Sequence, residues 1–293
     1  MGRQIYAAIA DGILEGGVYA LMAVGLTLIF GVLDIINIAQ GILVVTGAYL
    51  SYALAVHLHI DLFVGLLITV PAMFILGLGI YWAFIRPLRG RERTSMSLLA
   101  CYAVAIIIEG VLYWIFGANQ QTLQASYVTS SFKVFGFYIS DIYVYGFILA
   151  VALVVALYLL LYRTRFGRSV RATMQDQTAA RLIGIQVNKV AGMTFAIGVA
   201  VTAAGGMVFG ATSGGFNPNS GYDLISRLLA IVILGGLGSI GGALVGSVFM
   251  ITVESLVDIW SPNWAIVVFY AALVIVLLVR PTGMFGRAPV RAQ

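Results

Sequence analysis

Residues 163–190 read R-T-R-F-G-R-S-V-R-A-T-M-Q-D-Q-T-A-A-R-L-I-G-I-Q-V-N-K-V and hold six of the sixteen lysine and arginine residues of the chain. Apolar segments flank this stretch at residues 142–162 and 190–211. Each is about as long as the roughly 20 residues that a helix needs to cross the hydrocarbon of a bilayer. Because short loops rich in arginine and lysine stay cytoplasmic, the stretch predicts a cytoplasmic loop between two transmembrane helices.

The same pattern of charge beside apolar segments recurs along the chain. Four more basic residues lie within 86–93 and three within 280–291. With 61% hydrophobic and 9% charged residues, the 293-residue chain has too little polar surface for a soluble protein. We predict an all-α, polytopic transmembrane bundle that forms a single domain over residues 1–293, with lipid around it. Loop topology explains the net charge of +5, so the charge does not indicate a nucleic-acid partner.

Hydropathy and the basic loops together predict eight full spans plus one short or re-entrant helix, with an uncleaved first helix and the N-terminus outside. The first six spans are expected at residues 5–30, 41–58, 62–85, 96–116, 142–162 and 190–211. Residues 117–141 carry little charge and are expected to form an outside loop. The apolar region 224–259 is too long for one plain helix. We expect two shorter helices there, hinged at residues 235–242, followed by a final span at 264–279.

Glycines in the hinge region predict close packing between helices. Gly238, Gly242 and Gly246 recur every four residues and so lie near one face of a helix, and Gly235 precedes them. Small residues at such spacing let helix backbones approach in a membrane. The segment also matches G-x-G-x-x-G, but a dinucleotide site needs a strand before it and a βαβ unit around it. Membrane-like flanks do not fit that unit, so we predict packing and hinge residues here.

Several chemistries are excluded by the residues that the chain lacks. Its two lysines, Lys133 and Lys189, do not follow a glycine, so there is no Walker A loop and the chain does not hydrolyse ATP by itself. Its two histidines, His57 and His59, point to different sides of a helix and do not suggest a metal site. We therefore predict no cofactor, no metal and no enzymatic activity.

A polar break at residues 34–40 separates the first two spans and contains Asn37 and Gln40. Non-helical backbone at membrane depth is tolerated only where protein or a wet cavity satisfies it, so these two residues are candidates for the substrate pathway. Glu109 is a third, because charges within spans are costly and often functional. The alternative for Asn37 and Gln40 is that they only cap helices at a membrane surface. The alternative for Glu109 is a position near the headgroups or a bond to a neighbouring helix. The same alternative is expected for the other acidic residues within spans, Asp11, Glu15 and Glu254.

The break at 34–40 and the glycine hinge at 235–242 lie near opposite ends of the chain. Many transporters are built from two repeated halves with interrupted helices in corresponding places. The two breaks are therefore candidates for such corresponding places.

The basic central loop has the signals of a short capped helix. Asp176 is a plausible N-cap, residues 177–183 a helix of two turns, and Gly184 its stop. Two turns are short for an isolated helix, so a docked surface is expected to support it. Ala179 and Ala180, followed by Gly184, resemble the A-A-x3-G part of the loop by which ABC-importer permeases engage their ATPases. An ordinary cytoplasmic loop is the alternative.

Nearly the whole chain resembles the permease subunit of branched-chain amino acid ABC transporters. The resemblance lies in the order and spacing of G-V-Y-A-L-M-A-V-G-L-T-L-I-F-G (17–31), I-N-I-A-Q-G (36–41), R-x3-G-x2-V-R-A (163–172), A-A-x3-G-I (179–185), G-G-L-G-S-I-G-G-A-L-V-G (235–246) and R-P-T-G-M-F-G (280–286). Two positions depart from the family pattern. Gln40 replaces the histidine of F-A-H-G, and Thr178 replaces the glutamate with which the general importer motif begins.

The resemblance implies an importer in the bacterial inner membrane, built from two permeases, two ATPases and a periplasmic binding protein. It suggests that the second permease is a paralogue. It also implies that Arg171, Asp176, Ala179, Ala180 and Gly184 belong to the ATPase-coupling loop. Branched-chain amino acids are the expected substrates, although urea, short amides and aromatic acids are carried by similar systems.

A self-sufficient secondary transporter or channel is the competing class, with Asp11, Glu15 or Glu109 as ion-coupling groups. Such a protein does not need the central loop, which therefore favours the importer.

The cytoplasmic position of the central loop is testable by cysteine labelling. We expect a Gln175→Cys variant to react with a membrane-impermeant maleimide only after the cells are permeabilised, because positive loops are retained inside. Labelling in intact cells would contradict the topology.

Overall fold

A computed structural model describes residues 2–88, 93–134 and 137–286 of the chain. Within these ranges, eight helices are long and apolar enough to cross a membrane. They are α1 (Gly2–Leu33), α2 (Gln40–Leu58), α3 (Leu62–Ile80), α4 (Arg93–Phe116), α6 (Asp141–Arg163), α9 (Val187–Thr212), α11 (Ile240–Asp258) and α12 (Pro262–Val279). The turn Tyr81–Ile85 extends α3 as a π-helix. These helices confirm the polytopic bundle.

The shorter elements lie between the spans. They are α5 (Ser126–Thr129), α7 (Arg165–Gln175), α8 (Gln177–Leu182) and α10 (Ser220–Gly235). Strands β1 (Ser131–Val134) and β2 (Phe137–Ser140) pair antiparallel, with Ser131 opposite Ser140. The expected short helix is α10, which makes eight spans plus one. The hairpin is a departure from the prediction, which places only a polar loop at residues 117–141.

The bundle packs around α1 and α9, whose glycines bring helix backbones into contact. A Cβ atom at Gly12 would lie 2.6 Å from the Cα of Thr252 on α11, and one at Gly16 would lie 2.8 Å from the Cα of Val248. Toward α9, a Cβ at Gly25 would lie 2.6 Å from the carbonyl oxygen of Gly198. Lipid tails give helices no hydrophobic reason to associate, so close backbone approach through small residues supplies the contact.

Two groups of three helices repeat in opposite directions. In each, a long helix (α1, α9) leads through a polar break to a second helix (α2, α10) and then to a third (α3, α11). The long helices pack antiparallel, because Gly25 meets Gly198 while Met22 meets Gly205. Each long helix also packs on the third helix of the other group, α1 on α11 and α9 on α3. This is the inverted arrangement known from transporters with internal repeats.

The breaks that correspond in this arrangement are residues 34–39 and 213–219. The first ends in N-I-A-Q-G (37–41) and the second in N-P-N-S-G (217–221). Gln40 N–H donates to the carbonyl of Asn37 at 3.1 Å, and Ser220 N–H donates to that of Asn217 at 3.0 Å. The pairing of the first break with the glycine hinge at 235–242 is therefore wrong. The glycine hinge follows α10, the second helix of its group. Its counterpart in the first group is the turn between α2 and α3, before Leu62.

The predicted hinge is the turn between α10 and α11. Its bend uses Gly236 at φ +101° and Gly238 at φ +79°, backbone angles that glycine adopts without steric cost. Gly235 and Gly242 then face each other so closely that a Cβ on Gly242 would collide with the carbonyl oxygen of Gly235. A Cβ on Gly246 would lie 3.1 Å from the carbonyl oxygen of Ile231. The element before G-x-G-x-x-G is helix α10, so the strand that a dinucleotide site needs is replaced by a helix.

Neighbouring glycines of α11 provide a matched test of this packing. Gly242→Ala is expected to lower the free energy of unfolding by roughly 1–3 kcal/mol, the usual cost of overpacking. Gly241→Ala should be neutral or slightly stabilising, since a Cβ there meets no atom within 4 Å. Thermal unfolding of the two purified variants in detergent compares them. Equal stability would contradict the packing role of Gly242.

Candidate functional site

The predicted pathway residues Asn37 and Gln40 form a buried polar chain with α9. Both side chains are wholly buried. Asn37 Nδ2 donates to Gln40 Oε1 at 2.8 Å, and Gln40 Nε2 donates to Thr202 Oγ1 at 2.5 Å. Thr202 Oγ1 in turn donates to the carbonyl oxygen of Gly198 at 2.8 Å. These bonds fix the start of α2 to the middle of α9.

The hydrogen bonds of Gln40 would also suit the histidine that the resemblance gives for this position. Gln40 accepts one hydrogen bond and donates another. A neutral histidine also has one donor and one acceptor nitrogen. The side chains of Asn37 and Gln40 lie inside the chain and not on a surface, so the geometry supports a structural link between α2 and α9. Their part in a substrate pathway stays a prediction.

The third pathway candidate, Glu109, joins two helices near the edge of the bundle. Its Oε2 accepts a hydrogen bond of 2.6 Å from the hydroxyl of Tyr222 at the start of α10. Glu109 is half-buried, and Tyr222 is exposed. The structure therefore shows the bond to a neighbouring helix that the sequence left open as the alternative, and a role in transport stays a prediction.

The central loop contains the expected capped helix. Asp176 Oδ1 accepts hydrogen bonds from the N–H groups of Thr178 at 2.7 Å and Ala179 at 3.0 Å. Helix α8 follows, and Gly184 ends it at φ +85°. Of the two alanines, Ala179 is exposed, whereas Ala180 is buried. Only Ala179 can therefore touch a partner without rearrangement of the loop.

Helix α7, which is not among the predicted elements, packs against α8. Thr164 Oγ1 caps it by accepting from the N–H of Gly167 at 3.0 Å. The guanidinium of Arg171 lies 4.7 Å from the ring centroid of Tyr162 at the end of α6. Arg171 is thus held against the bundle by a cation–π contact and is half-buried.

The α7–α8 segment is tied to α1 and presents an apolar tip. Gln177 Nε2 donates to the carbonyl oxygen of Val32, near the end of α1, at 3.0 Å. Beyond it, Leu182 and Ile183 are 84% and 74% exposed. Large apolar side chains with such exposure beside arginines are typical of a surface that a partner covers. A partner that moves this tip would act directly on α1.

A polar cavity of about 460 Å³ lies at the opposite end of the bundle, between α1, α9, α10 and α11. Its charged and phenolic lining comes from Glu15, Tyr19, Asp223, Arg227, Glu254 and Asp258. Arg227 Nη1 and Glu254 Oε2 form a salt bridge of 2.8 Å inside it. Within the described ranges, no group of three or more histidine, cysteine or acidic side chains is suited to a metal ion.

Most of this cavity is absent from the sequence prediction. The sequence predicts that Glu15 and Glu254 bond to a neighbouring helix. Glu254 on α11 does bond to Arg227 on α10. The signal for Arg227 is its position outside the three basic loops, within an apolar helix. Tyr19 and Asp223 carry no signal of their own, because only the fold brings α1, α10 and α11 together.

Comparisons with known proteins give a consistent result. A family model described as "Branched-chain amino acid transport system / permease component" matches residues 8–277. The high-affinity branched-chain amino acid transport system permease protein LivH of Salmonella typhimurium is 30% identical, over 96% of this chain and 95% of LivH. The corresponding permease protein BraD of Pseudomonas aeruginosa is 28% identical, over 96% of each chain. The autoinducer 2 import system permease protein LsrC of Yersinia enterocolitica is 36% identical over 40% of this chain and 34% of LsrC. No solved structure matches the chain.

The buried polar chain generates a test that separates a structural role of Gln40 from a transport role. Gln40→Leu leaves Asn37 without its acceptor and Thr202 without its donor. We expect a loss of about 1–3 kcal/mol in the free energy of unfolding, the usual cost of unsatisfied buried groups. Gln175→Leu, on an exposed site of α7, is the control. Unchanged stability of Gln40→Leu, measured in detergent, would contradict the structural role and favour the pathway prediction.

Proposed function

Since the chain belongs to the family of branched-chain amino acid transport system permease components, we propose that it is a permease subunit of an ABC importer in a bacterial inner membrane. The chain is a component of a membrane transporter and not an enzyme. The observation that carries the proposal is the family match over residues 8–277, which includes the central loop as well as nearly all of the bundle. A match confined to the apolar helices would be weaker support for an ABC importer, because it would not include the loop proposed to contact the ATPase.

The partners in this proposal are two ATPases, a periplasmic binding protein and a second permease, taken to be a paralogue. The α7–α8 segment supports the ATPase contact, because its apolar tip at Leu182 and Ile183 is exposed and its base is bonded to Val32. The outer faces of α4 and α12 expose apolar side chains such as Trp114 and Leu278. These faces provide surface for lipid and for the second permease.

The proposed substrates are the branched-chain amino acids, as the names of LivH and BraD state for those proteins. A secondary transporter or channel is the competing function. The family match argues against a secondary transporter or channel. Such a protein also does not need a cytoplasmic segment like α7–α8 that contacts an ATPase.

Reconstitution distinguishes the two functions. The chain is purified with candidate ATPase, second-permease and binding-protein subunits from the same organism, and radiolabelled leucine uptake into proteoliposomes is measured. We expect uptake that requires ATP and the binding protein. Uptake by this chain alone, driven by a proton or sodium gradient and unaffected by ATP, would overturn the proposal.

The same assay tests the coupling segment. Ala179→Arg places a long charged side chain on the exposed face of α8 and should obstruct docking of the ATPase. We expect leucine uptake to fall by at least about tenfold, which corresponds to about 1.4 kcal/mol of lost coupling, while membrane insertion is unchanged. Gln175→Arg adds the same charge at an exposed site on α7 and should transport normally. Normal uptake by Ala179→Arg would remove α8 from the coupling role.

A further inference from the structure

We propose that the cavity between α1, α9, α10 and α11 binds the transported amino acid as a zwitterion, with its ammonium group among the carboxylates and its carboxylate at Arg227. This rests on the proposed function and adds to it a binding site within a single permease.

The charge of the lining favours a ligand that carries an ammonium group. Four carboxylates face one guanidinium, and the salt bridge of 2.8 Å pairs Arg227 with Glu254. Glu15, Asp223 and Asp258 remain as acceptors. Asp223 and Asp258 are exposed and Glu15 is half-buried, so the cavity carries an excess of negative charge that attracts a cation. An ammonium group offers three donors in a compact charge to these acceptors.

Arg227 has donors left for a carboxylate. A guanidinium carries five N–H groups, and the residues that the structure describes accept one of its hydrogen bonds, at Glu254. The Cζ atom of Arg227 lies 5.6 Å from the ring centroid of Phe269. This contact uses the face of the guanidinium and leaves its N–H groups for other partners. A carboxylate matches two parallel N–H groups of arginine in a bidentate pair. One residue can therefore hold Glu254 and the substrate carboxylate together.

Tyr19 is the clearest sign that the cavity is built for a ligand. It lines the cavity and is only 6% exposed. Its hydroxyl forms no hydrogen bond with a residue in the described part of the chain and is reached from the cavity, unlike the sealed hydroxyl of Tyr49. A phenolic hydroxyl can donate and accept a hydrogen bond. A ligand in the cavity would give this hydroxyl a partner in place of water.

The remaining lining suits an aliphatic side chain. Phe209, Leu224 and Ile251 supply apolar surface next to the charged groups. The volume of about 460 Å³ falls within the range of roughly 300–1,000 Å³ that is usual for small-molecule sites. Exposed Ser213 and Asp258 lie at the end away from the α7–α8 segment. The cavity therefore opens at the end opposite the proposed ATPase contact.

Direct binding tests the site. The permease–ATPase complex is placed in lipid nanodiscs without binding protein, and saturable binding of tritiated leucine is measured by scintillation proximity. Tyr19→Phe and Glu15→Gln should each weaken binding by at least about tenfold, as expected for a lost buried hydrogen bond to a charged group. Absence of saturable binding to the wild type would overturn the site.

Matched controls separate the site from general damage. Tyr49→Phe removes a tyrosine hydroxyl that is buried and without a partner among the described residues, and Tyr49 packs on Phe116 and Phe216, away from the cavity. Asp11→Asn neutralises a carboxyl group four residues before Glu15 that does not line the cavity. Both controls should bind leucine normally. Equal effects in controls and site variants would overturn the assignment.

Two leucine analogues test the zwitterion itself. 4-Methylpentanoate lacks the ammonium group and isopentylamine lacks the carboxylate. Neither should compete at concentrations at which leucine saturates, if both charged ends are bound. Competition by isopentylamine as strong as that of leucine would overturn the role of Arg227, and equally strong competition by 4-methylpentanoate would overturn that of the carboxylates.

Uptake measurements keep this inference distinct from the proposed function. Tyr19-dependent leucine binding supports the cavity even if ATP does not drive uptake, a result that would overturn only the proposed function. ATP-driven uptake in the wild type, together with unchanged leucine binding and an unchanged maximal uptake rate in Tyr19→Phe and Glu15→Gln, would overturn only the cavity.

Discussion

The close approach of α1 to α9 and α11 is the constraint on which the rest of the structure depends. Glycines at positions 12, 16 and 25 let the backbone of α1 touch those of both partners. In a bilayer this contact replaces the hydrophobic drive that a soluble core would have. It also places Glu15 and Tyr19 opposite α10 and α11, and Gly25 beside Thr202. The cavity and the buried polar chain of Gln40 both follow from it.

Helix α1 connects the two ends of the molecule. Its 32 residues extend about 48 Å at the usual rise. Near one end Val32 accepts the bond from Gln177 of α8, and in the middle of the helix Glu15 and Tyr19 line the cavity. In the proposed importer, a displacement of α8 would be passed through this helix to the proposed substrate site. Such a contiguous path is a physical basis for coupling without any chemistry in this chain.

Local signals are predictable from this sequence, and long-range ones are not. Apolar length gives the spans, Asp176 and Gly184 give the ends of α8, and the glycine hinge gives the bend before α11, because each depends on neighbouring residues. The bond between Gln40 and Thr202 joins residues 162 positions apart. Arg227 and Glu254 face each other only because α10 folds back along α11. The correspondence between the two breaks is hidden in the sequence for the same reason. N-I-A-Q-G and N-P-N-S-G share only two residues, and only the packing of the helices shows that they occupy corresponding places.

If α1 couples the two sites, it joins an ATPase-facing end to a substrate site near its middle within one subunit. Electron cryomicroscopy of the assembled importer with leucine tests this coupling. Leu182 and Ile183 are expected to be covered by an ATPase subunit, and density for leucine is expected against Tyr19 and Arg227. An ATPase seated elsewhere on the bundle, or leucine density found only outside this cavity, would contradict it.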